Sequence, residues 1–183
     1  MNISASCSAS VLDVCCGSKM FWFEKTDGRA LFVDKRHETC VADTRQGRRV
    51  ITVNPNILAD FKSLPFPDNM FSLVVFDPPH TRNGPNSWTR KKYGTLQPGW
   101  REEIGAAFSE CFRVLCPLGT LIFKWNEYSV PVSTVLSLTP EKPLFGQRCG
   151  RTARTHWLVF IKSNNIEPNI EKIKDAASSE ALP

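Results

Sequence analysis

Three short apolar runs, each joined to an aspartate, constrain the fold of this chain more than any other feature. Residues 11–16, 31–34 and 71–76 are short and largely apolar, as strands buried on both faces of a parallel sheet are. Each run contains or directly precedes one aspartate: Asp13, Asp34 and Asp77. Ligands of open α/β sheets bind outside the carboxyl ends of the strands, so these carboxylates are the first candidates for a functional site.

The rest of the sequence continues the alternation of strands and helices. A Gly-centred turn between 39–42 and 49–53 predicts a hairpin, and apolar residues recur at helical spacing from 100 to 115. Residues 19–25 leave room for at most two helical turns. Further predicted elements are a strand at 120–125, a short helix at 130–138 and final strands at 143–147 and 156–162. This order predicts an α/β fold, with a mostly parallel twisted sheet, helices on both faces and a C-terminal antiparallel hairpin.

The length of 183 residues fits one domain. The predicted elements end at residue 162 and residues 163–183 are polar, so we expect one domain over 1–162 and a loosely ordered tail. No run of about 18 apolar residues occurs, and the N-terminus does not resemble a signal peptide. We therefore expect a soluble, cytoplasmic protein with no membrane partner. The seven cysteines include no C-x-x-C pair, and no metal site is predicted.

The positive charge of the chain is concentrated in two windows without acidic residues. A formal net charge of +5 permits binding to a polyanion without requiring it. The long loop predicted at 81–99 mixes cations with aromatic side chains, and its candidate substrate-binding residues are Arg82, Trp88, Arg90, Lys91, Lys92 and Tyr93. The second window adds Arg148, Arg151 and Arg154, which an antiparallel pairing of the last two strands would bring to the edge of Asp77. Solvated surface loops are the alternative interpretation.

Two motifs resemble those of a known enzyme family. Residues 11–18, VLDVCCGS, resemble the first motif of class I S-adenosylmethionine-dependent methyltransferases, and residues 77–80, DPPH, resemble their D/N-P-P-aromatic motif. The resemblance covers roughly residues 10–162 and implies a Rossmann-like fold. The second motif is typical of enzymes that methylate exocyclic amino groups of adenine or cytosine, and small stand-alone forms resemble phage or prophage enzymes.

The resemblance implies S-adenosylmethionine as the cofactor and a set of residues that bind it. These are Asp13 at the methionine amino group, the turn residues Cys16, Gly17 and Ser18, Asp34 at the ribose hydroxyls, Asp60 at the adenine amino group and Phe61 beside its ring. A glycine in such a turn removes the side chain that would block a ligand. Asp34 lies 21 residues after Asp13, close to the spacing at which a dinucleotide fold places its ribose acid. The family's usual second glycine, two residues after Gly17, is Lys19 here.

The second motif supplies the candidate catalytic residues Asp77, Pro78, Pro79 and His80. An aromatic amino group has its lone pair delocalised into the ring. Hydrogen bonds from its two N–H groups to the Asp77 carboxylate and the Pro78 carbonyl would favour a pyramidal, more nucleophilic nitrogen. His80 occupies the position at which the family usually stacks an aromatic ring on the base. A simple strand-ending turn is the alternative interpretation.

These observations predict the transfer of a methyl group from S-adenosylmethionine to an amino nitrogen of a nucleic-acid base. Adenine in DNA is favoured over cytosine and over RNA, and no metal is required. Two alternatives stay open. One is methylation of a protein or small-molecule amine, and the other is a cofactor-binding module without catalysis.

Overall fold

The computed structural model describes residues 9–44, 46–84, 87–148 and 154–164. The prediction for Arg151 and that for the polar tail after residue 164 lie outside the described residues. For Arg148 the structure describes the backbone alone.

Nine strands and three helices make up the described part of the chain. The strands are β1 (Ala9–Asp13), β2 (Ala30–Asp34), β3 (Glu38–Thr44), β4 (Gly47–Val53), β5 (Ile57–Leu58), β6 (Phe71–Phe76), β7 (Leu115–Asn126), β8 (Phe145–Arg148) and β9 (Thr155–Ile161). The helices are α1 (Trp88–Tyr93), α2 (Trp100–Val114) and α3 (Val132–Leu136).

Seven of the strands form one sheet in the order β5-β2-β1-β6-β7-β9-β8. The first five of these are parallel, while β9 is antiparallel to β7 and to β8. The predicted α/β class and the C-terminal antiparallel hairpin are therefore confirmed. Since the chain leaves β1 on one side for β2 and later returns on the other side as β6, the strand order reverses between β1 and β6. A crevice for a ligand opens at the carboxyl ends of these two strands.

Among the residues that the structure describes, the two crossovers on the β2 side contain no helix. Parallel strands are usually joined through a helix, but residues 14–29 between β1 and β2 form turns and bends. The short helix that the sequence left room for at 19–25 is absent there, and Trp22 instead reaches back to Asp13 and packs edge-on against Phe32. The crossover from β2 to β5 consists of the predicted hairpin, now seen as β3 paired with β4.

Helix α2 supplies the largest helical part of the core. It begins and ends within one residue of the predicted bounds and packs against β6 and β7. Its Phe108 is almost fully buried and contacts the rings of Phe76, Phe123 and Phe160 from three different strands. No helix in the described part of the chain is long and apolar enough to cross a membrane.

The segment after the DPPH motif differs from its prediction. The sequence predicts a loop over 81–99, but residues Trp88–Tyr93 form the short helix α1. Gly94 follows this helix with a φ of 78°, and a Cβ built there would lie 2.8 Å from Cγ of Pro79. Only glycine permits this close approach, which seats the end of α1 directly on the motif.

We expect Phe108→Ala to lower the free energy of unfolding by about 3–5 kcal/mol, because it removes a buried ring and leaves a cavity between three strands. Urea denaturation monitored by circular dichroism measures this change. Phe23→Ala is the matched control, since the Phe23 ring is fully exposed. Equal stability of the two variants would show that α2 does not pack on the sheet as described.

Candidate active site

A cavity of about 450 Å³ lies at the carboxyl ends of β1, β2 and β6, a size typical of sites for small ligands. It brings together residues from all three predicted sets. Its predicted cofactor-binding residues are Cys16, Gly17, Ser18, Asp34 and Phe61, its predicted catalytic residues are Asp77, Pro78, Pro79 and His80, and its predicted substrate-binding residues are Arg90, Lys91, Lys92 and Tyr93.

Other predicted site residues lie outside this cavity. Asp13 is completely buried, and Asp60 closes a local turn by accepting a hydrogen bond from the backbone N–H of Lys62. Arg82 lines a separate recess with Arg90. Trp88 lines a recess beside the hairpin. Arg154 precedes β9 at the carboxyl edge of β7, as the antiparallel pairing predicted, and its guanidinium lies 5.3 Å from the centre of the Tyr128 ring.

The turn after β1 is held to the end of β2 by two hydrogen bonds, of which the first runs from the backbone N–H of Cys16 to the carbonyl of Val33. The backbone N–H of Gly17 donates to Oδ2 of Asp34 at 2.8 Å, and Oδ1 of Asp34 accepts from the backbone N–H of Arg36. Both Gly17 and Lys19 have positive φ, 51° and 54°. A left-handed conformation costs a residue with a side chain about 1–2 kcal/mol. Lys19 offsets this cost because its ammonium lies 3.9 Å from the centre of the Phe32 ring and donates to the carbonyl of Lys25.

The Asp13 carboxyl group is the most deeply buried titratable group of the predicted site. Its Oδ2 accepts a hydrogen bond from the indole N–H of Trp22 at 2.8 Å, and its Oδ1 accepts from the backbone N–H of Cys15. Burial raises the pKa of Asp13 from 3.8 to about 7, although both hydrogen bonds act in the opposite direction. Asp13, predicted to face the methionine amino group of the cofactor, is thus bonded through both oxygens to the turn after β1.

Asp77 forms an ion pair that the predicted site did not include. Its Oδ2 lies 2.5 Å from the ammonium of Lys124, which projects from β7 beside the carboxyl end of β6. Its Oδ1 is buried and has no hydrogen-bond partner within the described residues. A lysine in the otherwise apolar run 121–125 was the signal for this partner, since a charge in a buried strand requires compensation.

His80 is held by the motif itself. Its Nδ1 lies 3.1 Å from the carbonyl oxygen of Pro78, which can only accept, so Nδ1 carries the proton. Burial lowers the pKa of His80 and so favours the neutral imidazole. The ring lies between Tyr93 and Trp125, with centroid distances of 6.5 and 6.0 Å. Trp125 itself is fully buried and belongs to the core.

Helix α1 lies over the cavity and is fixed there by two hydrogen bonds. The guanidinium of Arg36 donates to the carbonyl of Lys91 at 3.1 Å, and the ammonium of Lys91 donates to the carbonyl of Val41 in β3 at 3.0 Å. The helix thus joins the end of β2 to the hairpin, and these contacts between distant segments could not be read from the sequence. In the part of the chain that the structure describes, no cluster of His, Cys, Asp and Glu could hold a metal ion.

The sheet order and the crevice can be compared with known proteins. No protein-family model matches the chain, and no curated protein sequence matches it significantly. Among solved structures, the PH0226 protein from Pyrococcus horikoshii OT3 is similar with a TM-score of 0.55 and 18% identity, over 84% of this chain and 82% of that one. The N-methyltransferase NodS from Bradyrhizobium japonicum WM9 is similar with a TM-score of 0.53 and 13% identity, over 85% and 86% of the two chains.

This chain has the class I methyltransferase fold. At these identities the likeness concerns the fold. One fold can carry many activities, and the side chains of the site decide which one is present.

The raised pKa of Asp13 predicts a pH dependence of stability. Between pH 4 and pH 7 the folded state retains a proton that the unfolded state has released, so this contribution to stability is complete below about pH 4 and is lost as the pH rises through about 7. A shift of one pKa unit corresponds to about 1.4 kcal/mol. Between pH 4 and pH 8 the free energy of unfolding of the wild type should therefore fall by up to roughly 4 kcal/mol relative to that of Asp13→Asn. Urea denaturation at pH 4 to 8 measures the difference.

Asp43→Asn is the control for this experiment because the Asp43 carboxylate is exposed. The stability difference between Asp43→Asn and the wild type should stay constant over the same pH range. A constant difference for Asp13→Asn as well would contradict a raised pKa at Asp13.

Proposed function

We propose that this protein is an S-adenosylmethionine-dependent methyltransferase that methylates an amino nitrogen, with the exocyclic amino group of a nucleic-acid base as its acceptor and adenine in DNA favoured. The observation that carries the proposal is the pair of acceptors in one cavity. Asp77, whose buried Oδ1 has no hydrogen-bond partner among the described residues, and Pro78 line this cavity together with Gly17 and Asp34.

The cavity residues fit this cofactor in size and chemistry. Gly17 places no side chain at the wall of the turn, where the atoms nearest to a Cβ built on it, in Arg36 and Lys92, would lie 3.8 Å away. Asp34 offers carboxylate oxygens for hydroxyl groups, and Phe61 offers an apolar face. Asp34 and Asp77 supply negative charge next to a ligand that carries positive charge. When bound, S-adenosylmethionine supplies an electrophilic methyl group.

Asp77 and Pro78 can hold an amino group by both of its N–H bonds. The carboxylate oxygen Oδ1 accepts one, and the Pro78 carbonyl has a second lone pair beside the one that His80 uses. Two acceptors outside the plane of an aromatic ring favour a pyramidal nitrogen with an available lone pair. Positive charge develops on this nitrogen, so the carboxylate stabilises the transition state more than the ground state.

Lys124 acts as a positioning residue for this arrangement. Its ammonium binds Oδ2 of Asp77, so Oδ1 is the oxygen that is left to accept an N–H of the methyl acceptor. The ammonium also lies 5.7 Å from the ring centres of Phe21 and Trp157, so that aromatic faces hold it from the other side. The carboxylate is thereby fixed before substrate binds, which reduces the cost of ordering it in the reaction.

The orientation of His80 favours a second candidate acceptor, an amine of a protein or a small molecule. In the stacking role, the ring at this position presents an open face to an extruded base. The imidazole of His80 is only 15% exposed and is tied to Pro78 by its Nδ1 proton. An acceptor that is not a flat base would not need that face.

We expect Asp77→Ala to lower methyl transfer by about 100-fold or more, because it removes the acceptor that stabilises positive charge in the transition state. The purified wild type and variant are incubated with labelled cofactor and separate DNA, RNA, protein and amine pools, and incorporated label is counted. Asp68→Ala is the matched control, since this exposed aspartate lies before the opposite end of β6. Unchanged incorporation by Asp77→Ala would refute the catalytic assignment, and label confined to the protein or amine pool would establish the second acceptor.

For Lys124→Met we expect kcat to fall about tenfold or more while the KM for the acceptor changes little, because the carboxylate remains but loses its fixed orientation. Lys124→Arg keeps the ion pair and should recover most of the lost rate. A purely structural role would lower activity only in proportion to the folded fraction, which thermal unfolding measures. Equal kcat in the Met and Arg variants would contradict a positioning role.

A further inference from the structure

A second recess of about 500 Å³ lies between the β3–β4 hairpin and the turns after β1. We call it the hairpin groove and define it by five of its lining residues: Lys19, Lys25, Arg49, Trp88 and Lys92. Gly17, Ser18, Met20 and Lys92 line both this groove and the cavity that contains Asp77. The groove and the cavity therefore adjoin at these four residues.

The groove carries a concentrated positive charge. Its lining includes four cationic side chains and no carboxylate among the described residues. Lys25 and Arg49 are exposed, and within the described part of the chain no ion pair joins either of them, or Lys92, to an acid. Thr26, Thr44 and Thr52 also line the groove, and their hydroxyl groups are bonded to Glu24, Gly47 and Thr39. Cations without acidic partners attract and bind the oxygens of phosphates.

An aromatic ring stands where the groove meets α1. The Trp88 indole is 41% exposed, and the ammonium of Lys92 lies 5.6 Å from its ring centre. Tryptophan beside cations is the combination that binds single-stranded nucleic acids, because bases stack on the ring while phosphates contact the cations. A recess of this volume fits a small ligand or a nucleotide and is too small for a duplex.

The walls of the groove are held in place before any ligand binds. The Lys91 ammonium ties α1 to Val41 of the hairpin, and Arg36 ties the end of β2 to the same helix. Arg49 itself lies on β4, which pairs with β3 along its whole length. A surface fixed in this way loses little conformational entropy when it binds an extended partner.

We propose that the hairpin groove binds the phosphate backbone of a single-stranded nucleic acid on one side of the base held at Asp77. This inference rests on the proposed methyltransferase function and specifies the substrate as a strand that is single at the target. The hairpin takes the place of a crossover helix, and its Arg49 reaches nucleotides that the catalytic cavity does not contact.

The test compares two neighbouring arginines of β4. Arg49 lines the groove, whereas Arg48 lies on the opposite face of the strand and pairs with Asp43. Binding of fluorescein-labelled twelve-residue DNA and RNA strands is measured by fluorescence anisotropy over a series of salt concentrations. We expect Arg49→Ala to raise Kd about fivefold to tenfold and Arg49→Ala with Lys25→Ala to raise it further, whereas Arg48→Ala changes it less than twofold.

The salt dependence gives an independent measure of the same contacts. Each lost phosphate contact should reduce the slope of log K against log salt by about 0.7 for a single strand. The slope for the double variant should therefore fall by about twice as much as the slope for Arg49→Ala. The slope for Arg49→Lys should stay close to that of the wild type. Equal slopes for Arg48→Ala and Arg49→Ala would overturn the proposal.

Two further readouts separate this inference from the proposed function. Cofactor binding by calorimetry and label transfer are measured on the same variants. If the wild type transfers label to nucleic acid but Arg49→Ala does not weaken binding of the strand, the proposed role of the groove is wrong and the methyltransferase function is still supported. Displacement of the labelled strand by polyglutamate of equal charge, at equal concentration, would overturn the proposal in favour of an acidic peptide. Wild-type protein that binds cofactor and no labelled strand would overturn it as well.

Discussion

Three carboxylates emerge side by side from the carboxyl ends of β1, β2 and β6, and the need to compensate their burial organises the site around them. Asp13 is bound by the indole of Trp22, Asp34 by the backbone of Gly17 and by Arg36, and Asp77 by Lys124. A buried carboxylate without such partners would be strongly destabilising. Each partner comes from a different segment, so compensation of the charges also ties those segments to the edge of the sheet.

The compensation is unequal, and this gives the carboxylates different roles. Asp13 has both oxygens bonded and no exposed surface, and it therefore acts as a support of the turn. Asp34 lines the cavity but also fixes Gly17 and Arg36. Asp77 lines the cavity, and its Oδ2 is paired with Lys124 while its Oδ1 has no partner among the described residues. Such a carboxylate is fixed in place and can still accept a hydrogen bond.

The connections on either side of β2, which are built from turns and a hairpin, affect more than the sheet. Because turns and a hairpin replace the helices before and after β2, the groove beside Gly17 is bordered by strand β4 and by cationic turns. Helix α1 closes the other side through Arg36 and Lys91. The described chain thus presents a cationic surface next to the candidate active-site cavity.

The sequence by itself determined the α/β class, the hairpin at 38–53, helix α2 and the edge at which Asp34, Asp77 and His80 meet. Apolar periodicity and turn residues act over a few positions, so they can be read from the chain alone. Tertiary structure decided that Lys124 pairs with Asp77 and that the Trp22 indole donates a hydrogen bond to Asp13. It also decided that α1 forms over the cavity against the hairpin. Those contacts join residues that are distant in sequence, and their energies exist only once the sheet has set the distances between them.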